Sequence, residues 1–333
     1  MHASEISTGI TQIASGSFRL VAPSQFPIRI GIAGSGTVVA VGSSVTSLAP
    51  GDAVYGLFFK HGIFPPPVCG FVSDYVVVPA DVLLPKPEGV SFEEAAALTG
   101  SVVTVYQCVK RWLELTGQEG KGVEALQGKT AFVTGALSAV GSVAVQALKN
   151  VYGMRVVATV STAKMGLVEG ELPGVVDQLV DYQKEDVVVA VGRGKVDLVF
   201  SSQWDPGMVG LFPLANPETG AVVSIASVPS AETLRKMLGD TRIPFQGLVL
   251  WLSKLANMWY GWKLRGTNVK QDFISGNPGN REDLVASGEW VSSRKVKAVM
   301  TAVNLDDIEA VRKGCGQVFT GKGGLGKLVI KLV

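Results

Sequence analysis

Thr130-Ala131-Phe132-Val133-Thr134-Gly135-Ala136-Leu137-Ser138-Ala139-Val140-Gly141, continuing to Asn150, is the stretch that decides the fold. An apolar run leads into a turn of small residues. Apolar residues then recur at Val140, Val143, Ala144, Ala147 and Leu148, the spacing of one buried helix face. Strand, small-residue turn and helix in that order form the nucleotide-binding entry of a doubly wound α/β sheet. The first N–H groups of such a helix point at a pyrophosphate, and small side chains let the backbone approach it. Ser138 stands where a glycine is commoner, so the turn alone also fits an ordinary buried strand-to-helix connection. A second strand is expected over Val156 to Val160. An NAD site carries a carboxylate for the ribose 2′-hydroxyl about twenty residues past the last glycine. Here that place holds Ser161, Thr162 and Lys164, with no acid before Glu169. Hydroxyls and an ammonium suit a 2′-phosphate, so the sequence predicts NADPH as cofactor.

The rest of the chain sets bounds on class and compartment. Its 333 residues suit two domains, and 47 % hydrophobic content with 17 % charged describes a chain that buries a core. A formal charge of +2, without a basic tract, is too small to imply nucleic acid, and no nucleic-acid partner is expected. Cys69, Cys108 and Cys315 are odd in number and far apart, which argues for a reducing compartment. The first residues lack a basic-then-apolar signal pattern, and a cytoplasmic protein is expected.

Short β-prone runs fill Pro27 to Leu84, including Thr37–Val41, Ala53–Tyr55 and Tyr75–Val78, punctuated by glycine and proline. Ser91 to Leu115 turns helical, with Ser91 as N-cap and Glu94 completing a capping box. Thr116 to Lys129 is polar and marks a boundary. Strands are expected at Val196–Phe200 and Ala221–Ala226, an alternation that implies a mainly parallel sheet. Beyond Gly279 come a helix (Arg281–Ser287), a strand (Val296–Val303), a helix after Leu305-Asp306-Asp307 and a closing strand (Lys327–Leu332). These late elements are able to return to the first domain.

In this order the stretches Gly31–Gly42, Pro50–Val54, Gly70–Tyr75, Ser91–Leu98, Thr104–Gln107, Gly135–Gly141 and Gly326–Val329 resemble the medium-chain dehydrogenase/reductase superfamily. Within it the resemblance is to the zinc-free quinone oxidoreductase and trans-acting enoyl reductase branch, fungal members of biosynthetic clusters above all. The resemblance implies a Rossmann domain (116–279) inserted in a small GroES-like β-rich domain (1–115 and 280–333), with NADPH delivering hydride in the cleft between them. Carried over by position, Ser138, Ala139, Val140 and Gly141 meet the pyrophosphate. Ser161, Thr162 and Lys164 hold the 2′-phosphate, and Tyr182 lies near the adenine ribose. Thr104 stands beside the nicotinamide, with Ala226, Ser227, Gly326 and Lys327 closing around it. Departures include Ala33 and Thr99, at positions often acidic and proline. The match begins near Ser4-Glu5-Ile6, after family members' first strands, with His2 and Ala3 replacing an asparagine and a proline. Exposed apolar surface is therefore expected, covered by a homodimer or by the stretch Ile6–Leu20.

No metal is expected. The distant cysteines with His2 and His61 supply no zinc ligand set. Without a metal to polarise a ketone, an activated C=C is the better hydride acceptor, because hydrogen-bond donors suffice to hold the enolate. Tyr106 and Tyr55 are proton donors by type, packing residues by habit, and water is the other source. The resemblance implies that Phe58, Phe59, Phe64 and Pro65–Pro67 border the cleft, which suggests an apolar substrate; with the C=C acceptor, a small apolar unsaturated one is expected. Trp251, Leu252, Leu255, Trp259 and Trp262 form a helical stripe that is read first as packing on the neighbouring sheet or a subunit partner. Membrane contact is the lesser reading, despite Lys254, Lys263 and Arg265. The leading function is a metal-free, NADPH-dependent reductase of an enone, enoyl group or quinone, with secondary metabolism as its setting. Its rivals are a redox-neutral cyclase or isomerase and a non-catalytic NADPH-binding partner.

Overall fold

The computed structural model describes residues 1–17, 19, 26–57, 70–203, 208–239, 242–276 and 280–333. His61, Phe58, Phe59, Phe64, Pro65–Pro67, Cys69 and Leu20 lie outside them. Among the described residues there are twelve strands: β1 (Ala3–Ile6), β2 (Ala33–Thr37), β3 (Ala53–Leu57), β4 (Leu83–Pro85), β5 (Thr130–Val133), β6 (Arg155–Val160), β7 (Gln178–Asp181), β8 (Leu198–Ser201), β9 (Ala221–Ser224), β10 (Lys270–Phe273), β11 (Met300–Asn304) and β12 (Lys327–Lys331). They form two six-stranded sheets. The chain divides into one unit of Met1–Val103, Met237–Gln246 and Asn277–Val333 and another of Thr104–Lys236 and Gly247–Gly276. The division falls inside the helix Phe92–Thr116 rather than at the polar stretch after it, and Met237–Gln246 belongs with the first unit.

The first unit holds the sheet β11-β12-β1-β2-β3-β4, so the closing strand does return to the amino-terminal domain. β1 is central, antiparallel to both β12 (Ile6 opposite Leu328) and β2 (Ala3 opposite Ser35). The helix Thr8–Ala14 follows, capped by the Ser7 hydroxyl, which accepts from the Ile10 N–H at 3.4 Å. It lays Ile10 and Ile13 against Ile6, Leu328 and Ile330, so the residues after β1 carry apolar cover themselves. The capping box is present, the Glu94 N–H donating to Ser91 Oγ at 3.0 Å.

Three expected strands are corrected. β2 ends at Thr37, and Tyr75–Val78 forms no strand, with Val77 96 % exposed. β-branched composition suits a pleated, half-buried surface, and without a partner ladder it does not make a strand. The strand expected from Val296 begins only at Met300.

The second unit holds the sheet β10-β9-β8-β5-β6-β7, every neighbouring pair parallel. This is the doubly wound order, with its switch point between β5 and β8. Phe132, Val157, Val180, Val199 and Val222 bury its faces. The stripe on the helix Gln246–Lys263 departs from the expected packing on that sheet: Trp251, Leu252, Leu255, Trp259 and Trp262 are each at least 41 % exposed.

One buried charge pair sits in the first sheet. Glu5 on β1 is 1 % exposed, and Lys327 on β12 reaches it at 2.9 Å. Removing one partner of such a pair strands the other in a dry interior. Lys327→Met should therefore lower stability by about 3–5 kcal/mol. Adding Glu5→Gln should restore part of the loss, both read from urea unfolding followed by circular dichroism.

Candidate functional site

The turn after β5 is tied on three sides. The Gly135 N–H donates to Thr159 Oγ1 (3.0 Å) and the Ala136 N–H to the Thr159 carbonyl (2.8 Å), binding it to β6. The Ser202 N–H donates to Thr134 Oγ1 (2.8 Å), and the hydroxyls of Ser138 and Ser202 are 3.1 Å apart, binding it to the end of β8. Ser138 also accepts from the Gly141 N–H at 3.0 Å, so it caps the helix Gly141–Asn150. The serine in the glycine place thus has a job: it organises the turn. A Cβ on Gly141 would collide with the Gly135 carbonyl, so only glycine fits this approach. Val140, at the N-cap position, makes no side-chain cap, and Ser142 Oγ is buried without a partner among the described residues. A dry hydroxyl costs about 1–3 kcal/mol, which an added acceptor or donor would recover.

The rim beyond β6 differs from the sequence expectation in one respect. Ser161 is extended and half-buried, and the Lys164 N–H donates to its carbonyl at 2.9 Å. Partial burial lowers the pKa of the Lys164 ammonium. Thr162, expected to serve a phosphate, gives its hydroxyl hydrogen to Asp181 Oδ2 at 2.6 Å. Asp181 is a buried acid that the sequence analysis did not single out. It ends β7, and only the pairing of Val160 with Asp181 brings it to Thr162. Next to it Tyr182 is exposed.

Beyond β9 the Ala226 N–H donates to Ser224 Oγ (3.0 Å), and Ser227 carries a second buried hydroxyl without a partner among the described residues. Shortly after β10, Gly276 lies flat against Thr104, whose Oγ1 would collide with a Cβ there. Ser138–Gly141, Ser161–Lys164, Tyr182, Ala226–Ser227 and Thr104 therefore gather beyond the carboxyl ends of one parallel sheet, where open α/β sheets bind ligands.

The other sequence candidates lie on the helix Phe92–Thr116 and in the first unit. Thr104 and Tyr106 are on one helix, and residues two apart point about 200° away from each other, so one face does not present both. Gly326 and Lys327 belong to the first unit, where Lys327 is engaged with Glu5. Tyr55, also of the first unit, is 2 % exposed.

Residues 2–88 match the alcohol dehydrogenase GroES-like domain family. The chain is 35 % identical over 153 residues to 2-methylene-furan-3-one reductase of Solanum lycopersicum, a stretch covering 46 % of this chain and 36 % of that protein. It is 32 % identical over 169 residues to the chloroplastic NADPH-dependent alkenal/one oxidoreductase of Arabidopsis thaliana, covering 50 % and 40 %. The match thus spans well under half of either relative. Among solved structures, the quinone oxidoreductase from Coxiella burnetii superposes with a TM-score of 0.72 at 21 % identity, covering 100 % of this chain and 89 % of that one.

Burial pushes the Tyr55 hydroxyl up from 10.0 to about 12. The folded state holds that proton more tightly, so the stabilisation is complete below about pH 10 and lost as pH rises through about 12. The shift corresponds to about 3 kcal/mol. Stability of the native protein should fall across this window more steeply than that of Tyr55→Phe, and the late phase of tyrosine titration by ultraviolet absorbance should be smaller by one tyrosine in that variant.

Proposed function

Because the chain belongs to the medium-chain dehydrogenase/reductase superfamily, we propose that it is an NADPH-dependent, metal-free reductase of a conjugated C=C, an enone or enoyl group, or of a quinone. The observation that carries this reading is the helix N-terminus of Gly141–Asn150 at the switch point, with Lys164 on the rim of the next strand. A dinucleotide fits these residues. Gly141 leaves room for close backbone approach. The names of the two plant relatives support the substrate class, since both describe carbonyl-activated unsaturation.

Bound NADPH supplies a hydride for the electron-poor carbon of the substrate. The backbone from Ser138 to Gly141 holds the pyrophosphate, and Ser161 with Lys164 holds the 2′-phosphate. Asp181 keeps Thr162 in place and so shapes the rim. Tyr182 borders the adenine ribose. Ala226, Ser227 and Thr104 line the place for the nicotinamide, Thr104 fixed by its contact with Gly276. Water provides the proton at the carbon next to the carbonyl, since Tyr106 faces away from Thr104 and Tyr55 is buried.

NADPH consumption across a panel of enones, enoyl thioesters and quinones tests the activity, and oxidation of NADPH by none of them would overturn it. NADPH should bind at least about tenfold more tightly than NADH, because a charge-assisted phosphate contact contributes roughly 1.5–3 kcal/mol. Fluorescence titration of both cofactors should show that preference shrinking in Lys164→Ala. In Gly141→Val both affinities should fall together.

A further inference from the structure

The helix Gln246–Lys263 is turned the opposite way from an ordinary surface helix. Its inward side carries polar anchors beside the partly buried Val249, Leu250 and Ala256. Ser253 Oγ donates to the Pro229 carbonyl at 2.6 Å, and Asn257 Nδ2 donates to the same carbonyl at 3.2 Å. Gln271 Nε2 donates to Asn257 Oδ1 at 3.1 Å, and Tyr260 packs edge-on against Phe212. These bonds fix the helix's rotation, because turning the apolar side inward would break all of them.

The outward side carries Leu248, Trp251, Leu252, Leu255, Trp259 and Trp262, at 41–57 % exposure, with Met258 at 70 %. At 3.6 residues per turn these positions share a stripe about 120° wide. Cations border it. Lys254 falls on one edge and Lys263 on the other, its Nζ 5.0 Å from the Trp262 ring centre and 5.9 Å from that of Trp259. Arg265 follows the helix. No acid occurs from Gln246 to Arg265, and among the described residues none of the three cations has an ion-pair partner.

A second copy of the chain is a poor occupant. A two-fold contact places the same patch on itself and would set these cations against each other. An anionic surface is complementary. Indole rings and aliphatic side chains settle at the boundary of headgroups and acyl chains, and lysines beside them meet lipid phosphates and carboxylates. Among the described residues no helix is long and apolar enough to cross a membrane. We propose that the helix Gln246–Lys263 lies flat on an anionic lipid bilayer and holds the protein at its surface.

Co-sedimentation with vesicles of phosphatidylcholine, alone or mixed with phosphatidylserine, tests this, with tryptophan emission as a second readout. Binding should need phosphatidylserine, weaken with added salt and shift the emission to the blue. Trp259→Ser with Trp262→Ser, and separately Lys254→Glu with Lys263→Glu, should each lower vesicle partitioning by on the order of tenfold. Both variants should keep the native circular dichroism spectrum and NADPH affinity, since these side chains are exposed and outside the cofactor site. Failure to bind either vesicle would overturn the proposal, as would binding indifferent to phosphatidylserine and salt. A dimer in sedimentation velocity that the tryptophan variants dissociate would assign the stripe to a second copy instead.

Discussion

Parallel pairing of β5 with β6 on one side and β8 on the other is the constraint from which the site follows. It puts the crevice of the sheet where the Ser138 turn emerges, because the connections from the two strands leave in opposite directions. Thr159 and Ser202, from the two neighbours, then hold the turn by hydrogen bonds. The helix N-terminus is presented as a consequence of the ladder, with Ser138 closing the first turn.

The same ladder brings an unadvertised acid into the rim. Asp181 is distant in sequence from Thr162, yet pairing of β6 with β7 makes them neighbours. A carboxylate there does not contradict a phosphate-binding rim. It is buried, receives the Thr162 hydroxyl and the Gln183 N–H, and so is spent on holding the loop rather than facing a ribose.

Two features of the chain place charge and apolar surface against the usual rule. Glu5 and Lys327 put an ion pair inside the first sheet, where its two members sit on the same face of adjacent strands. The helix Gln246–Lys263 puts its apolar stripe outside. Burying a charge or exposing tryptophan costs stability, and each persists because neighbouring groups fix it: the pair by mutual neutralisation, the helix by the hydrogen bonds of Ser253 and Asn257.

The sequence by itself determined what is local and periodic. Thr130–Gly141 announced strand, turn and helix, Ser91 and Glu94 announced a capping box, and Lys327–Leu332 announced the closing strand, because propensity, capping and side-chain period act within a few residues. Tertiary structure decided what depends on a partner. Tyr75–Val78 has strand composition and, among the described residues, no ladder to join. Tyr106 shares a helix with Thr104 but not a face. Asp181 becomes a rim residue only through register. The tryptophan stripe reads as a core face from its spacing alone, since period reveals that a helix has two sides and not which one meets the sheet. That choice was made by Pro229, Gln271 and Phe212, which are remote in sequence and meet the helix only in the folded chain.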